Sequence, residues 1–533
     1  MRTVRDAAFD MLRRHGMTTV FANPGSTEVS LLADLPDDLD FVLALHEGSV
    51  VGTATGWAVA RDEPAFVLLH TTAGLGNAVG ALATARENRA PLVVVVGQQD
   101  RRHLAQRPFL TGRLEGLAGD YPVRVESPPR AQDVPGALGR AWHAARTDRG
   151  PALVVVPMDD WQQPADELPE AAPRALRHAT AADPESVAAV AGLLDAAERP
   201  ALVVGAGADH PATWRALTGL AERLGCPVWQ ESFGARAGFP QDHPRFAGHL
   251  PADRTRLRAT LGRHDLVLVI GAPVLRQYPY EAGPLAPDGT RLAVVTDDPA
   301  EARNAPVELA VLAPLPAFCA ALAHRVSART ARPAPECGAA PAVPVPAAGA
   351  PLRAAHVLAA LAERLPADTV VVEETPSSRP DLHALLPARQ PLGFLSAAMG
   401  GLGFAVPAAI GVRMGAPERP VVAVVGDGSS LYQIQGLWTA VHYGVGAVFV
   451  VLANGRYAVM DRLAEKHGGK APWPAFEEIS VRGLAEALGC PARRVGDHAA
   501  LLRELDAVAA TLPGRTEPLL LEVTVEPDPS FAP

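Results

Sequence analysis

The stretch VVAVVGDGSSLYQIQGLWTAV, residues 421–441, decides the fold. Its first five residues are apolar on both faces, the pattern of a strand covered by helices on each side of a parallel sheet. The turn GDG follows, and residues 430–441 read as a helix that opens at that turn. Strand, glycine turn and helix form the unit of a doubly wound α/β domain, in which ligands collect at the carboxyl ends of the strands. Gly426 and Gly428 let a ligand approach the backbone closely, and the helix start at Ser429 favours an anion. Asp427 puts a hard oxygen donor at the same point. The next apolar run ends in LANG, residues 452–455, so Asn454 reaches the same sheet edge one strand over. A carboxylate, an amide oxygen and a backbone carbonyl are a donor set that magnesium accepts when it also bridges phosphates.

Outward from this unit, the same alternation repeats through the chain. Apolar runs at 19–21, 41–45, 65–70, 92–96 and 152–156 form one block. Runs at 201–204, 228–230, 266–270 and 292–295 form a second, and runs at 370–372, 421–425, 448–452 and 519–523 a third. The prediction is an α/β protein of three doubly wound parallel-sheet domains, at residues 1–165, 183–327 and 353–528. Residues 328–352 are a Pro/Ala-rich linker that cannot pack a core and should run extended. A length of 533 residues also requires more than one core.

Bulk properties narrow the function. The net charge of −10 is spread without a basic stripe, which argues against a nucleic-acid surface. No run approaches the roughly 20 apolar residues of a membrane span, and the first 16 residues lack the apolar core of a signal peptide. The expectation is a cytoplasmic protein acting on a small molecule. Cys226, Cys319, Cys337 and Cys490 are far apart and form no C-x-x-C pair, so they read as free, structural thiols.

Three further stretches carry chemistry. FANPGSTE (21–28) is a strand-ending turn, and LHEGSV (45–50) places Glu47 between an apolar strand and a helix of small residues. A carboxylate there either caps the helix or, partly desolvated in a crevice, shares a proton with a ring nitrogen. In LLHTTAGLGNAVGAL (68–82), His70 ends a strand ahead of a glycine-rich helix. It is either a hydrogen-bonded strand-end histidine or an imidazole over a crevice floor. In FLSAAMGGLGFAVPAAIG (394–411), Leu402 lies between glycines, as a wedge under a flexible ligand or as a core leucine in a turn.

Together these pieces resemble the thiamine-diphosphate-dependent decarboxylases, and within them the benzoylformate decarboxylases most. The likeness runs over nearly the whole chain, through residues 19–28, 43–52, 70–82, 95–102, 269–280, 400–412 and 421–430. It implies pyrimidine-binding, middle and diphosphate-binding domains, with thiamine diphosphate and Mg2+ (or Ca2+) as cofactors. The implied reaction is non-oxidative decarboxylation of a 2-oxo acid to an aldehyde and carbon dioxide. Alternatives are a carboligase or lyase acting on 2-hydroxy ketones with the same cofactor and, remotely, a catalytically silent cofactor-binding subunit. The family also implies a homodimer or homotetramer with active sites at subunit interfaces.

Residue by residue, the resemblance makes Glu47 the activator of the aminopyrimidine, and Ser26 and His70 the holders of substrate carboxylate and protons. The Gly400 carbonyl and Leu402 would hold the cofactor bent. Gly426, Asp427, Gly428, Ser429, Asn454 and Tyr457 would surround the diphosphate, with Asp427, Asn454 and the Arg456 carbonyl on the metal. Phe109, Leu110, Met460, Leu463 and Tyr278 would line the substrate pocket. The sequence departs from the benzoylformate pattern at Tyr278, where that group carries a second active-site histidine. A phenol donates a hydrogen bond but does not shuttle protons as an imidazole does at neutral pH. Pro376 replaces a hydroxyl residue, and Ala453 precedes Asn454 where many relatives have a second Asn. In the middle block, GAGAD (205–209) is a glycine turn without the full dinucleotide fingerprint.

Overall fold

The computed structural model describes residues 1–166, 171–329, 341–347 and 349–527. Cys337 lies outside them, as do residues 330–340 and 348 of the predicted linker. The apolar runs singled out above fall on strands, most of them buried, and the strands form three six-stranded sheets. The first contains β1 (Thr19–Asn23), β2 (Asp40–Leu43), β3 (Ala65–His70), β4 (Leu92–Gln98), β5 (Arg124–Glu126) and β6 (Pro151–Pro157), in the order β2-β1-β3-β4-β6-β5. The second contains β7 (Pro200–Val204), β8 (Val228–Gln230), β9 (Phe246–His249), β10 (Leu266–Ile270), β11 (Arg291–Thr296) and β12 (Leu309–Leu312), in the order β12-β11-β10-β7-β8-β9. The third contains β13 (Val370–Glu374), β14 (Phe394–Ser396), β15 (Val421–Gly426), β16 (Val448–Ala453), β17 (Ala492–Val495) and β18 (Leu519–Thr524), in the order β14-β13-β15-β16-β18-β17. The pairings are parallel, with β15 and β16 in a register that sets Gly426 beside Leu452. This is the doubly wound α/β architecture expected from the sequence.

The chain forms two compact units. One comprises Met1–Arg177, Val372–Ser377 and Ala397–Pro533; the other comprises His178–Val371 and Ser378–Ser396. In the first, the helices Glu47–Arg61 and Ala405–Gly415 pack backbone to backbone. A Cβ added at Gly411 would lie 1.8 Å from the Thr53 carbonyl oxygen, and one at Gly56 would lie 2.1 Å from that of Ala408. The small residues of these helices exist for this approach. The second unit has its own core, built on Leu202, Val204, Leu268, Ile270, Phe239 and Phe318.

The helix expected over residues 430–441 is broken. One turn, Asp427–Ser430, follows β15, and a separate helix begins at Gly436 and ends at His442. Between them Gln433 turns its amide to the Ser49 hydroxyl, 2.5 Å away, a tertiary bond that a continuous helix would not present. The GAGAD turn is filled by protein. A Cβ at Gly205 would lie 2.6 Å from Ala272 Cβ, and the Gly207 N–H donates to the Gly271 carbonyl at 2.9 Å. The glycines here allow two strand ends to meet at the point where strand order reverses. Among the described residues no helix is long and apolar enough to cross a membrane. Cys226, Cys319 and Cys490 are buried free thiols, each pushed up to about 12 by burial.

Candidate active site

Strand ends of the first sheet bring together the residues singled out at 21–28, 45–50 and 68–82. Glu47 opens its helix after the N-cap His46, whose Nδ1 accepts from the Gly48 N–H. The Glu47 side chain is nearly buried (7% exposed), and two amides hold it. Asn23 Nδ2 donates to Oε1 at 3.1 Å and Asn77 Nδ2 donates to Oε2 at 3.0 Å. The helix is therefore capped by His46, and Glu47 is left as a positioned carboxylate. Asn23 lies at the end of β1, and Asn77 lies nearly two turns into the helix Thr71–Glu87.

His70 ends β3, and its ring lies flat on Gly25, where a Cβ would come within 2.5 Å of it. Its Nδ1 sits 3.0 Å from Glu28 Oε2 and 2.9 Å from Thr27 Oγ1. Glu28 is 1% exposed, and its carboxylate also accepts from the Gly25 N–H (2.8 Å) and from the Thr27 hydroxyl. A carboxylate only accepts, so the Nδ1 proton points at Glu28 and Nε2 is the ring's basic atom. Gly97, in β4, makes room for this arrangement: a Cβ there would lie 1.8 Å from Glu28 Oε1. Ser26 sits exposed on the same loop, next to Gly25. The residue after His70, Thr71, is buried at a φ of 35°, a left-handed backbone that a β-branched residue adopts only under tertiary constraint.

At the third sheet, Asp427 and Asn454 meet as the spacing anticipated. Asp427 Oδ2 accepts from the Asn454 N–H (2.8 Å) and the Gly455 N–H (2.6 Å), and Oδ1 accepts from the Gly428 N–H at 2.8 Å. Burial pushes the Asp427 carboxyl above the ordinary carboxylate range, while these three donors pull it down. Asn454 Oδ1 accepts from the Arg456 N–H at 3.1 Å. Asp427, Asn454 and Gly455 share a cavity of about 320 Å³ with Leu431, Phe476 and Glu477. Tyr457 lies on the GDG turn: a Cβ at Gly428 would come within 2.5 Å of its ring. The Arg456 guanidinium is drawn to Asp461, 3.7 Å away. Ser429 is buried in the short helix.

The Gly400–Gly403 loop belongs to the same unit. Gly400 has a φ of 70° and open space where a side chain would be, and Leu402 is half exposed despite being apolar. An uncovered leucine on a glycine loop, next to a sheet edge with a carboxylate and an amide, suits a bound ring with a diphosphate tail. The donor set fits a hard cation shared with phosphate oxygens. Among the described residues no cluster of three His, Cys, Asp or Glu could hold a metal alone.

Met460 and Leu463 lie on the helix Ala458–Lys466, off the core. Phe109 is 88% exposed, and Leu110, at a φ of 67°, is also exposed. Their loop is tied down by Gln98, whose amide exchanges two hydrogen bonds with the Gly112 backbone. Tyr278 belongs to the other compact unit; it is 60% exposed, and its N–H donates to the Ala252 carbonyl at 3.0 Å. Glu28, Asn23, Asn77 and Gln433 were missed as site residues. All four stand in stretches singled out above, yet no spacing marks them, because the bonds that engage them are tertiary.

Profiles of the thiamine pyrophosphate enzymes match all three parts of the chain: the N-terminal TPP binding domain at residues 2–116, the central domain at 187–322, and the C-terminal TPP binding domain at 377–523. Benzoylformate decarboxylase of Pseudomonas aeruginosa is 38% identical, over 99% of this chain and 100% of that protein.

The chain belongs to the thiamine pyrophosphate enzyme family.

Two solved members are also close. The thiamine-diphosphate-dependent 4-hydroxybenzoylformate decarboxylase of Rhodococcus jostii has a TM-score of 0.93 at 35% identity, covering 99% of this chain and 100% of that one. Benzoylformate decarboxylase from Polynucleobacter necessarius has a TM-score of 0.94 at 34% identity, with full coverage of both chains. A more distant member, the acetolactate synthase large subunit of Parasynechococcus marenigrum, is 28% identical over 97% of this chain and 87% of that protein.

Proposed function

We propose that this chain is a thiamine-diphosphate-dependent decarboxylase of 2-oxo acids, taking benzoylformate or a close aryl relative to an aldehyde and carbon dioxide. The observation that carries the reading is Glu47, a nearly buried carboxylate with each oxygen on an amide, in a chain aligned end to end with benzoylformate decarboxylases. Bound thiamine diphosphate supplies an electron sink for the bond that breaks when carbon dioxide leaves. The protein supplies the rest. Asp427, Asn454 and the Arg456 carbonyl would hold Mg2+ or Ca2+, and Gly426, Gly428, Ser429 and Tyr457 would enclose the diphosphate. The Gly400 carbonyl and Leu402 would fix the cofactor's bend. Glu47 would hold a proton at its carboxylate and exchange it with the aminopyrimidine. Ser26 would hold the substrate carboxylate, and His70 Nε2 would deliver the proton that completes the aldehyde, its ring fixed by Glu28. Phe109, Leu110, Met460, Leu463 and Tyr278 would frame the aryl group.

In the family the two halves of the site come from different subunits, so the working form would be a homodimer or a dimer of dimers, and the compartment cytoplasmic. The test is carbon dioxide release from a panel of 2-oxo acids with thiamine diphosphate and magnesium supplied, the organic product being identified. Benzaldehyde from benzoylformate is the expected result. Cofactor bound without release from any 2-oxo acid would overturn it, and a 2-hydroxy ketone as sole product would move the chain to carboligation.

A further inference from the structure

Glu374 ends β13 and is almost fully buried. No part of the chemistry above uses it, yet its carboxylate is fully engaged. Oε1 accepts from the Gly403 N–H at 2.7 Å, and Oε2 accepts from the N–H groups of Phe404 (2.8 Å) and Ala405 (2.7 Å). These are the first free donors of the helix Ala405–Gly415, whose N-cap Phe404 offers no side-chain cap. A carboxylate from another strand does the capping.

The consequence lies in what this leaves free. Gly403, at a φ of 88°, is clamped from its other side, where a Cβ would come within 2.9 Å of Gln433 Cγ and 3.0 Å of Tyr432 Cβ. Upstream, the Ala398 N–H is bonded to Asn88 Oδ1 at 2.8 Å. Between these two anchors lie only Met399, Gly400, Gly401 and Leu402. Met399 and Leu402 are both exposed, and Gly400 has nothing beside it. The backbone of Glu374 also borders the diphosphate turn, since a Cβ at Gly426 would lie 3.9 Å from its carbonyl oxygen.

We infer that Glu374 is the positioning residue for the Gly400–Leu402 wedge: it fixes the loop before any cofactor arrives, so that Leu402 meets the bent middle of thiamine diphosphate at a set distance from the diphosphate turn. This rests on the cofactor reading above. Glutamine in its place has one acceptor oxygen instead of two, and its NH2 faces a backbone N–H that then has no acceptor. Inorganic diphosphate has no bend and needs no wedge, so it separates positioning from general damage to the domain.

The experiment measures binding of thiamine diphosphate and of inorganic diphosphate, each with magnesium, to the full-length parent, Glu374→Gln, Leu402→Ala and the double variant. Glu374→Gln should weaken thiamine diphosphate by roughly tenfold or more, the scale of a lost charge-assisted hydrogen bond, and leave inorganic diphosphate within about twofold. The double variant should add little to Glu374→Gln, because both changes remove one device. Amide hydrogen exchange on the cofactor-free parent is the second measurement, and it stands even where Glu374→Gln does not fold. The Gly403, Phe404 and Ala405 amides should be protected there. Unchanged thiamine diphosphate affinity in Glu374→Gln, equal losses for both ligands, or fast exchange at these amides in the parent would each overturn the inference. A parent that binds no thiamine diphosphate while these amides stay protected would overturn the cofactor reading instead.

Discussion

At the scale of single residues, two buried glutamates divide the work by what surrounds them. Glu47 is held by two neutral amides, which fix it without bringing a counter-charge. Glu28 is spent on the Gly25 backbone, Thr27 and His70, and under the proposed function it would act only through the imidazole. Removing the charge should therefore have unequal effects. Glu47→Gln is expected to lower kcat by roughly two to four orders of magnitude, the usual range for an acid–base group. Glu28→Gln is expected to lower it by about one to two orders, as for partners that orient a functional histidine, and to move the pH profile, because the Nδ1 proton loses its anionic acceptor. Both should keep the parent's thermal midpoint within a few degrees. An unshifted pH profile in Glu28→Gln would remove Glu28 from the site. Glu47, Asp427 and Asn454 stand out in the sequence because each lies within a few residues of the end of an apolar run, ahead of a helix or turn. Glu28, Asn77 and Gln433 do not, because their partners stand on other elements and no spacing along the chain announces them.

At the scale of elements, the helices Glu47–Arg61 and Ala405–Gly415 show why small residues dominate both. Their backbones touch, and Gly52 meets Pro407 while Gly411 and Gly415 meet Thr53 and Trp57. The first helix carries Glu47 at its start, and the second is entered from the Leu402 loop, so this contact sets the geometry of both. Gly411→Ala would push a methyl group into the Thr53 carbonyl and should destabilise the first unit by about 3 kcal/mol, the upper part of the usual overpacking range. Gly76→Ala is the control. Its site is open, and helix propensity predicts a gain of up to about 1 kcal/mol. Urea unfolding of both variants checks the pair; equal effects would mean that the helix contact is looser than described. Periodicity revealed the long central strands, whose two apolar faces leave little choice. It missed β5, β9, β12, β14 and β17, short strands that include polar or charged stretches such as Arg124–Glu126 and Ala492–Val495. It also ran one helix through residues 430–441, because the pull of Ser49 on Gln433 is a tertiary effect.

At the scale of the molecule, the two compact units should answer differently to acid. In the second unit, His249 and His383 stack with ring centroids 3.8 Å apart at 6°, and Phe394 meets His383 edge-on. Burial holds His383 down to about 3, helped by the nearby Arg379, and holds His249 and His264 below the ordinary imidazole range as well. In the unfolded chain these rings take up protons near pH 6.5. A depressed histidine stabilises the fold fully above that value, and the stabilisation is lost as pH falls toward the folded value. For His383 the loss by pH 5 is on the order of 2 kcal/mol. Each unit also contains a buried glutamate of opposite sense, Glu231 in the second and Glu374 in the first, both raised chiefly by burial. Glu374 is raised to about 7, so its contribution is complete below the unfolded carboxyl value and is lost as pH rises through 7. It offsets His15, which burial lowers to about 4 in the same unit. Acidification from pH 7.5 to 5 should therefore lower the calorimetric midpoint of the second unit more than that of the first. His383→Phe keeps an aromatic ring against Phe394 and His249 but removes one proton acceptor. It should reduce the acid sensitivity of the second unit while costing little stability at pH 7.5. A variant as acid-sensitive as the parent would mean that the buried imidazoles do not set the acid limit of this unit.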